Sequence, residues 1–283
     1  MRLLGAHMSI AGGVSKSIKR GISIGCTAIQ IFTGFNNRWH SKAISDEEIE
    51  DFQRQKSRIG IIFAHNNYLI NLASPDPELS RTSYNSMLEE MQRAGSLDLP
   101  YLVIHPGSHR GSGERAGLRR IARHLDNLFA ETGNSRSRIL LETTAGQGSN
   151  LGYRFEHLAE VLSAVHYPDR VGICFDTCHV FAAGYDLRTP EGYRKAFEEF
   201  DRLIGTSRIL AFHLNDSKHE SGSRKDRHEH IGQGVLGITA FRMLLNDARF
   251  AEIPMVIETP KGDGMRLEED ERNLSILRSL IRK

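Results

Sequence analysis

Eight short apolar runs recur along this chain, each followed by a stretch with helical spacing, and that alternation constrains the fold more than any other feature. The runs are rich in β-branched and aromatic residues and bounded by turn residues. They lie at Leu3–His7, Ala28–Thr33, Gly60–Ala64, Tyr101–His105, Arg138–Glu142, Val171–Asp176, Arg208–His213 and Pro254–Glu258. Between them the spacing predicts helices at Ser17–Ile24, Pro77–Leu97, Arg115–Phe129, Phe155–Val165, Glu191–Ile204, Ile238–Asp247 and Glu268–Ile281. One more opens on the capping box Ser45-Asp46-Glu47-Glu48 and runs toward Arg58. Strict alternation of this kind predicts a parallel sheet. Eight units in about 250 residues is the arithmetic of a (β/α)8 TIM barrel with its active site at the C-terminal strand ends. An open doubly wound sheet, the competing architecture, would gather ligands at the one crevice where strand order reverses. No linker or internal repeat divides the chain, so one barrel domain over residues 1–283 is expected.

What the runs end on is the second constraint. Six of them finish on or beside a side chain that binds metals: IIFAHNN (His65), YLVIHPG (His105), RILLETT (Glu142), VGICFDTCH (Asp176, His179), ILAFHLND (His213) and PMVIETP (Glu258). Asp226 and His228, in KDRHEH, lie in the loop after the seventh strand. The run AIQIFTG is the exception and carries no ligand. Dispersal over so many strand ends favours the closed barrel. A carboxylate buried without a partner costs several kcal/mol. Glu142, Asp176 and Glu258 each follow an apolar stretch, and no matching set of Lys or Arg stands at the strand ends. Metal ions are the economical counter-charges.

Imidazole plus carboxylate donors suit zinc, manganese or iron, whereas magnesium prefers oxygen alone. Nine candidates are too many for one tetrahedral ion and suit two or three ions sharing a bridging carboxylate. Such a cluster favours phosphodiester hydrolysis. Aldose–ketose isomerisation, which also uses a divalent ion in a His, Glu and Asp shell, is the alternative.

Composition adds bounds. The chain is 39% hydrophobic and 25% charged, enough to bury a substantial core. Three cysteines form no disulfide framework and point to a reducing compartment. Cys174 reads as a small buried thiol. The start, MRLLGAHMSIAGG, resembles a strand entering a Gly-rich turn, not a signal peptide. With no membrane-length apolar stretch, a cytoplasmic protein is expected. The formal net charge of +2 omits any bound metal, so it does not exclude a nucleic-acid partner.

Several segments are long enough to carry a family resemblance. GAHMSIAGG, AHNNYLINL, VIHPGSH, LLETTAGQGSNLG, FDTCHVFAAGYDLRT, FHLNDSK, DRHEHIGQG and VIETP are similar to the endonuclease IV family of apurinic/apyrimidinic-site endonucleases, over nearly the whole chain. The resemblance implies three zinc ions per chain. One would be held by His65, His105 and Glu142; a second by Glu142, Asp176, His213 and Glu258; a third by His179, Asp226 and His228. It implies Glu142 as the catalytic residue, bridging two ions. The implied reaction hydrolyses the phosphodiester 5′ to an abasic site in double-stranded DNA, leaving a 3′-hydroxyl and a 5′-deoxyribose phosphate. Removal of blocked 3′ ends is implied as well. Asp216, His7 and His109 stay outside the metal set on the resemblance alone. A monomer with no obligatory protein partner is expected.

The resemblance also marks DNA contacts. Tyr68 and Leu69 match positions that enter the minor groove, though either could instead pack the next segment. After the second strand the family has Lys-Asn and then an inserted Arg, whereas this chain reads Thr33-Gly34-Phe35-Asn36-Asn37-Arg38-Trp39. The Arg is displaced by one residue and Asn37 takes its place. Phe35 and Trp39 are candidates to substitute by stacking, with Trp39 equally a loop anchor. Arg38, Arg110 beside His109, Arg224, Lys225 and Arg227 are candidate backbone contacts. The Gly146–Asn150 stretch reads either as a phosphate cradle or as a tight turn.

Overall fold

The computed structural model describes residues 2–133, 135–261 and 267–282. Its barrel strands are β1 (Leu4–Met8), β2 (Ala28–Phe32), β3 (Ile61–His65), β4 (Tyr101–Ile104), β5 (Arg138–Glu142), β6 (Val171–Asp176) and β7 (Ile209–His213). Two short strands, β8 (Asp216–Ser217) and β9 (His228–Glu229), form an antiparallel ribbon apart from the barrel. The last barrel strand, β10 (Met255–Ile257), pairs with both β7 and β1 and closes an all-parallel ring in sequence order. The expected (β/α)8 TIM barrel is therefore the observed fold.

The helices are α1 (Val14–Ser23), α2 (Asp46–Gln55), α3 (Pro77–Ser96), α4 (Glu114–Glu131), α5 (Phe155–Ala164), α6 (Thr177–Ala183), α7 (Pro190–Leu203), α8 (Ile238–Leu245) and α9 (Glu268–Leu280). Local chemistry starts them where expected. Ser45 Oγ accepts the Glu48 amide at 3.3 Å to cap α2, and the Asp76 carboxylate caps α3 ahead of Pro77 at its first position.

Two elements depart from the sequence expectation. Helix α6 begins directly after β6, so His179 lies in a first helical turn instead of at a strand end. Its residues Thr177–Ala182 are all buried, which erases the one-sided periodicity that marks a surface helix. The β8–β9 ribbon has two residues per strand, too few to show any alternation.

Inside the barrel, Ala28, Phe63, Val103, Leu140, Cys174, Ala211 and Val256 form one packed layer. A step of two residues along a strand returns to the same face. From those seven residues the step reaches Gln30, His65, His105, Glu142, Asp176, His213 and Glu258. On β1 the layer position is Gly5, where a Cβ would lie 1.7 Å from the Ala28 carbonyl oxygen, and the step reaches His7. The barrel thus sets a ring of polar side chains directly above an apolar plug.

The intervening residues face outward. Phe175, between Cys174 and Asp176, packs on Phe197 of α7 and on Phe212 of β7, with ring centroids 5.0 and 5.6 Å away. Truncating such a buried ring to Ala costs about 3–5 kcal/mol. This packing holds the strands that carry the polar ring.

Candidate metal centre

Glu142 is the hub of the ring, with no solvent exposure. Its Oε2 lies 3.0 Å from His65 Nε2 and 3.2 Å from His105 Nε2. Its Oε1 lies 3.0 Å from His213 Nδ1 and 3.1 Å from His179 Nδ1. One carboxylate therefore presents its two oxygens to different sets of imidazoles. Glu258 Oε2 is 3.2 Å from His213 Nδ1. Asp176 Oδ2 is 3.7 Å from both His213 Nδ1 and His228 Nε2. Across the mouth, Asp226 Oδ1 is 3.1 Å from His179 Nε2 and 3.5 Å from His228 Nε2.

All nine side chains singled out from the sequence as ligands come together in this way. Their donor atoms converge in three groups: His65, His105 and Glu142; Glu142, Asp176, His213 and Glu258; His179, Asp226 and His228. A further combination, Asp176, Cys178 and His228, also converges. Burial pushes the Cys178 thiol up to about 12, and its sulfur donates to the Arg227 carbonyl oxygen at 3.7 Å. It stands as a thiol beside the third group.

The outer ring nitrogens explain the orientation of the inner ones. His65 Nδ1 donates to Asn66 O at 2.8 Å, His179 Nδ1 to Thr143 O at 2.8 Å and His228 Nδ1 to Glu258 O at 3.1 Å. A carbonyl oxygen only accepts, so each of these rings, when neutral, carries its lone pair on Nε2. Nε2 faces Glu142 in His65 and Asp226 in His179 and His228, while His179 Nδ1 also lies near Glu142. His179 Nε2 and His228 Nε2 even face each other at 3.4 Å. Lone pairs set against carboxylates and against one another need a cation or extra protons between them. On His179 a proton fills that role in the metal-free chain. Burial opposes charge on His179, yet Asp176 and Asp226 raise it well above the ordinary imidazole value. Burial likewise opposes charge on Glu142 and Glu258, and the imidazoles, His213 foremost, hold both well below the usual carboxylate range. The donor chemistry fits bound divalent ions, which would take the place of those protons.

Several supporting residues carry no charge and were silent in the sequence. Gln30 of β2 accepts from His213 Nε2 at 2.8 Å and donates to Glu258 Oε1 at 2.6 Å. Asn215 donates to Asp176 Oδ2 at 2.7 Å and accepts the Glu258 amide at 2.8 Å. Thr143 Oγ1 accepts the Asp176 amide at 2.9 Å. The period-two step from Ala28 is the one signal that would have found Gln30.

The other candidates have structural partners. Asp216 is buried and accepts the amides of Ser217, Gly232 and Gly237 at 2.8, 2.9 and 3.1 Å, tying off the loop that carries Asp226 and His228. His109 Nδ1 accepts the Gly113 amide. Cys174 belongs to the apolar plug, and burial pushes its thiol up to about 12. In the glycine-rich stretch, the Ser149 hydroxyl meets that of Ser108 at 2.7 Å, Ser149 O accepts the His109 amide, and Gln147 Oε1 accepts the Asp226 amide. Its polar groups engage neighbouring loops, as a tight turn does.

The candidate DNA-contact residues lie on the rim. Tyr68 is 62% exposed, with its ring edge-on to Phe32 at 5.4 Å. Leu69 beside it is half-buried. Asn37, Arg38 and Arg227 are exposed, and the Arg38 guanidinium lies 4.5 Å from the centre of the exposed Phe35 ring. Trp39 is half-buried and its carbonyl accepts from Ser86 Oγ at 2.9 Å, which suits a loop anchor. The β2 and β3 loops are joined directly, Tyr68 N donating to Asn36 O at 3.1 Å. Beneath both lies buried Glu90 of α3, hydrogen-bonded by Thr33, paired with Arg93 at 3.1 Å and reached by Asn67 at 3.5 Å. Beside His105 opens a cavity of about 220 Å³ lined by Tyr68, Asn71, Ser108, Thr144 and Asn150 among others.

Residues 18–280 match the Xylose isomerase-like TIM barrel family. A probable endonuclease 4 from Chloroflexus aurantiacus is 55% identical, with 99% of each chain covered. The chain belongs to the endonuclease IV family. A second relative, a probable endonuclease 4 from Geobacter sp. (strain M21), is 50% identical over 99% of each chain. Among solved structures, endonuclease IV from Thermus thermophilus superposes with a TM-score of 0.87 at 35% identity, covering 99% of this chain and 98% of that one. A D-tagatose 3-epimerase-like protein, at 18% identity and a TM-score of 0.74, shares the fold alone. The endonuclease IV resemblance read from the motifs is thus borne out.

Proposed function

We propose that this member of the endonuclease IV family is a DNA-repair hydrolase that cuts the phosphodiester 5′ to abasic sites in double-stranded DNA and removes blocked 3′ ends. We assign it three zinc ions, held by the three groups of donors described above and sharing Glu142. Bound there, the ions would act as Lewis acids on the phosphate, lower the pKa of water and neutralise the leaving oxygen. The chain itself supplies orientation. The backbone carbonyls of Asn66, Thr143 and Glu258 select the tautomers of His65, His179 and His228. Asn215 holds the Asp176 carboxylate and the Glu258 backbone amide, and Gln30 holds the Glu258 carboxylate, so both stay in place with no lysine or arginine paired to them among the described residues.

Three divalent ions against four carboxylates leave the centre cationic by about two charges, which suits a phosphate. The exposed Tyr68, with Leu69, would enter the minor groove and hold the damaged nucleotide out of the stack. Arg38, Asn37 and Arg227 would contact the backbone.

The observation that carries this reading is the convergence of nine side chains in three groups, two of which share Glu142. The sugar-isomerase alternative has no use for the third group, in which Asp226 and His228 of the β8–β9 hairpin join His179. Metal content should be measured together with nicking of a duplex that carries one abasic analogue. We expect close to three zinc ions per chain and incision on the 5′ side. One metal per chain without nicking would overturn the proposal.

A further inference from the structure

The one strand end read from the sequence as carrying no ligand bears an amide that hydrogen-bonds other members of the polar ring through both its oxygen and its nitrogen. Gln30 occupies on β2 the position that Glu142 occupies on β5 and His213 on β7, two residues beyond the apolar plug. It is fully buried. A primary amide has one oxygen that accepts and two N–H bonds that donate. Here each has a partner: Oε1 accepts from His213 Nε2 at 2.8 Å, and Nε2 donates to Glu258 Oε1 at 2.6 Å and to His7 Nδ1 at 2.9 Å. The opposite amide orientation would set its oxygen against the Glu258 carboxylate, so Glu258 fixes which way the amide faces.

We propose that Gln30 is a positioning residue that dictates the ligand geometry of one metal group, the one formed by Asp176, His213 and Glu258 with Glu142. The inference rests on the metal reading above and goes beyond it. By taking the His213 Nε2 proton, Gln30 puts that ring's lone pair on Nδ1, the nitrogen within 3.0 Å of Glu142 and 3.2 Å of Glu258. The other ring nitrogens are set by backbone carbonyls; His213 alone of these four histidines (His65, His179, His213 and His228) takes its tautomer from a side chain. By occupying Glu258 Oε1, the amide leaves Oε2 for the centre. Its contact with His7 Nδ1, which also lies 3.4 Å from Glu258 Oε1, ties that strand-end imidazole to the same carboxylate as a support. Among the described residues, its side-chain hydrogen bonds reach His213, Glu258 and His7, and none goes to the first or third group of ligands. The effect of losing it should therefore be confined to one ion.

The test compares the wild-type protein with Gln30→Leu and Gln30→Glu, using zinc and a chelating dye in competition. Wild type should release three ions in resolved steps. In Gln30→Leu one ion should bind about ten- to a hundredfold more weakly, the range for loss of a residue that orients a ligand, while the other two keep wild-type affinity. Nitrogen NMR of the metal-free protein, at a pH high enough for the His213 ring to be neutral, should show it as the Nε2–H tautomer in wild type and in Gln30→Glu, which keeps the acceptor, and as a mixture in Gln30→Leu. Incision should lose kcat with little change in KM. Should Gln30→Leu fail to fold, Gln30→Met, of similar length and without polar ends, takes the same measurements. Equal weakening of all three ions, or an unchanged affinity and tautomer in Gln30→Leu, overturns the assignment. A wild-type chain that binds no zinc would overturn the metal reading itself, and with it this inference.

Discussion

The two sides of the barrel mouth are built by different means. On the side of β5 to β7, Glu142, Asp176, His179 and His213 are fully or almost fully buried, and the last three are each locked by a second hydrogen bond to a carbonyl, a hydroxyl or an amide. On the side of β2 and β3 the rim residues Phe35, Asn37, Arg38 and Tyr68 stand in solvent, and order comes from beneath, through Glu90 and the Asn36–Tyr68 backbone bond. The first arrangement suits fixed chemistry at a single point. The second suits a surface that must meet a large, deformable partner. Substitutions should therefore separate chemistry from binding according to whether they strike the buried polar ring or the exposed rim.

The largest effect is expected from Glu142→Gln. It removes the carboxylate shared by two groups, so metal content should fall below three and incision should drop by about a thousandfold or more, the equivalent of several kcal/mol of lost charge stabilisation. Retention of full metal content and activity would dissolve the contrast between the two sides. Next comes Glu90→Ala. Leaving Arg93 without its buried partner should cost about 3–5 kcal/mol of stability by denaturant titration. The zinc content of the folded fraction should be unchanged, since Glu90 touches none of the nine ligands. Tyr68→Ala should weaken binding to an abasic duplex by about 1–3 kcal/mol, the range for lost aromatic stacking, with metal content and kcat preserved. A fall in kcat without a change in affinity would move Tyr68 to the chemical side. Arg38→Ala should lower the slope of log affinity against log salt by about one. The smallest effect is none at all: Cys174 and Cys178, both pushed up to about 12, and Cys26, pushed up to about 11, should resist alkylation at pH 8 until the protein unfolds. Rapid labelling of Cys178 would mean that the third group opens to solvent.

The same division explains what the sequence made legible. The alternation of runs and helices revealed the barrel because each parallel strand must be buried on both faces. Candidate ligands were legible because a carboxylate after Ile-Leu-Leu or Met-Val-Ile has no neutral explanation, whereas their division into three groups and the exclusion of Asp216, His7 and His109 came only with the family resemblance. Gln30 was hidden because an amide in an apolar strand advertises no charge, although its distance from Ala28 is the same as that of Glu142 from Leu140. Helix α6 was hidden because burial on every side leaves no polar face. The rim of β2 and β3 was readable only as a list of candidates. Exposed side chains there have few contacts within the chain to fix them.

The junction of β6 and α6 contains no loop at all. Asp176 ends the strand, and its Oδ1 accepts the His179 amide at 2.8 Å to start the helix. Two proposed ligands of different ions thus ride on one rigid piece of chain, three residues apart. At 3.6 residues per turn, a single residue inserted between them would swing His179 by about 100° around the helix axis. Side-chain substitutions here can be compensated one contact at a time. A change in chain length cannot, which makes this the point of the barrel least free to drift by insertion or deletion.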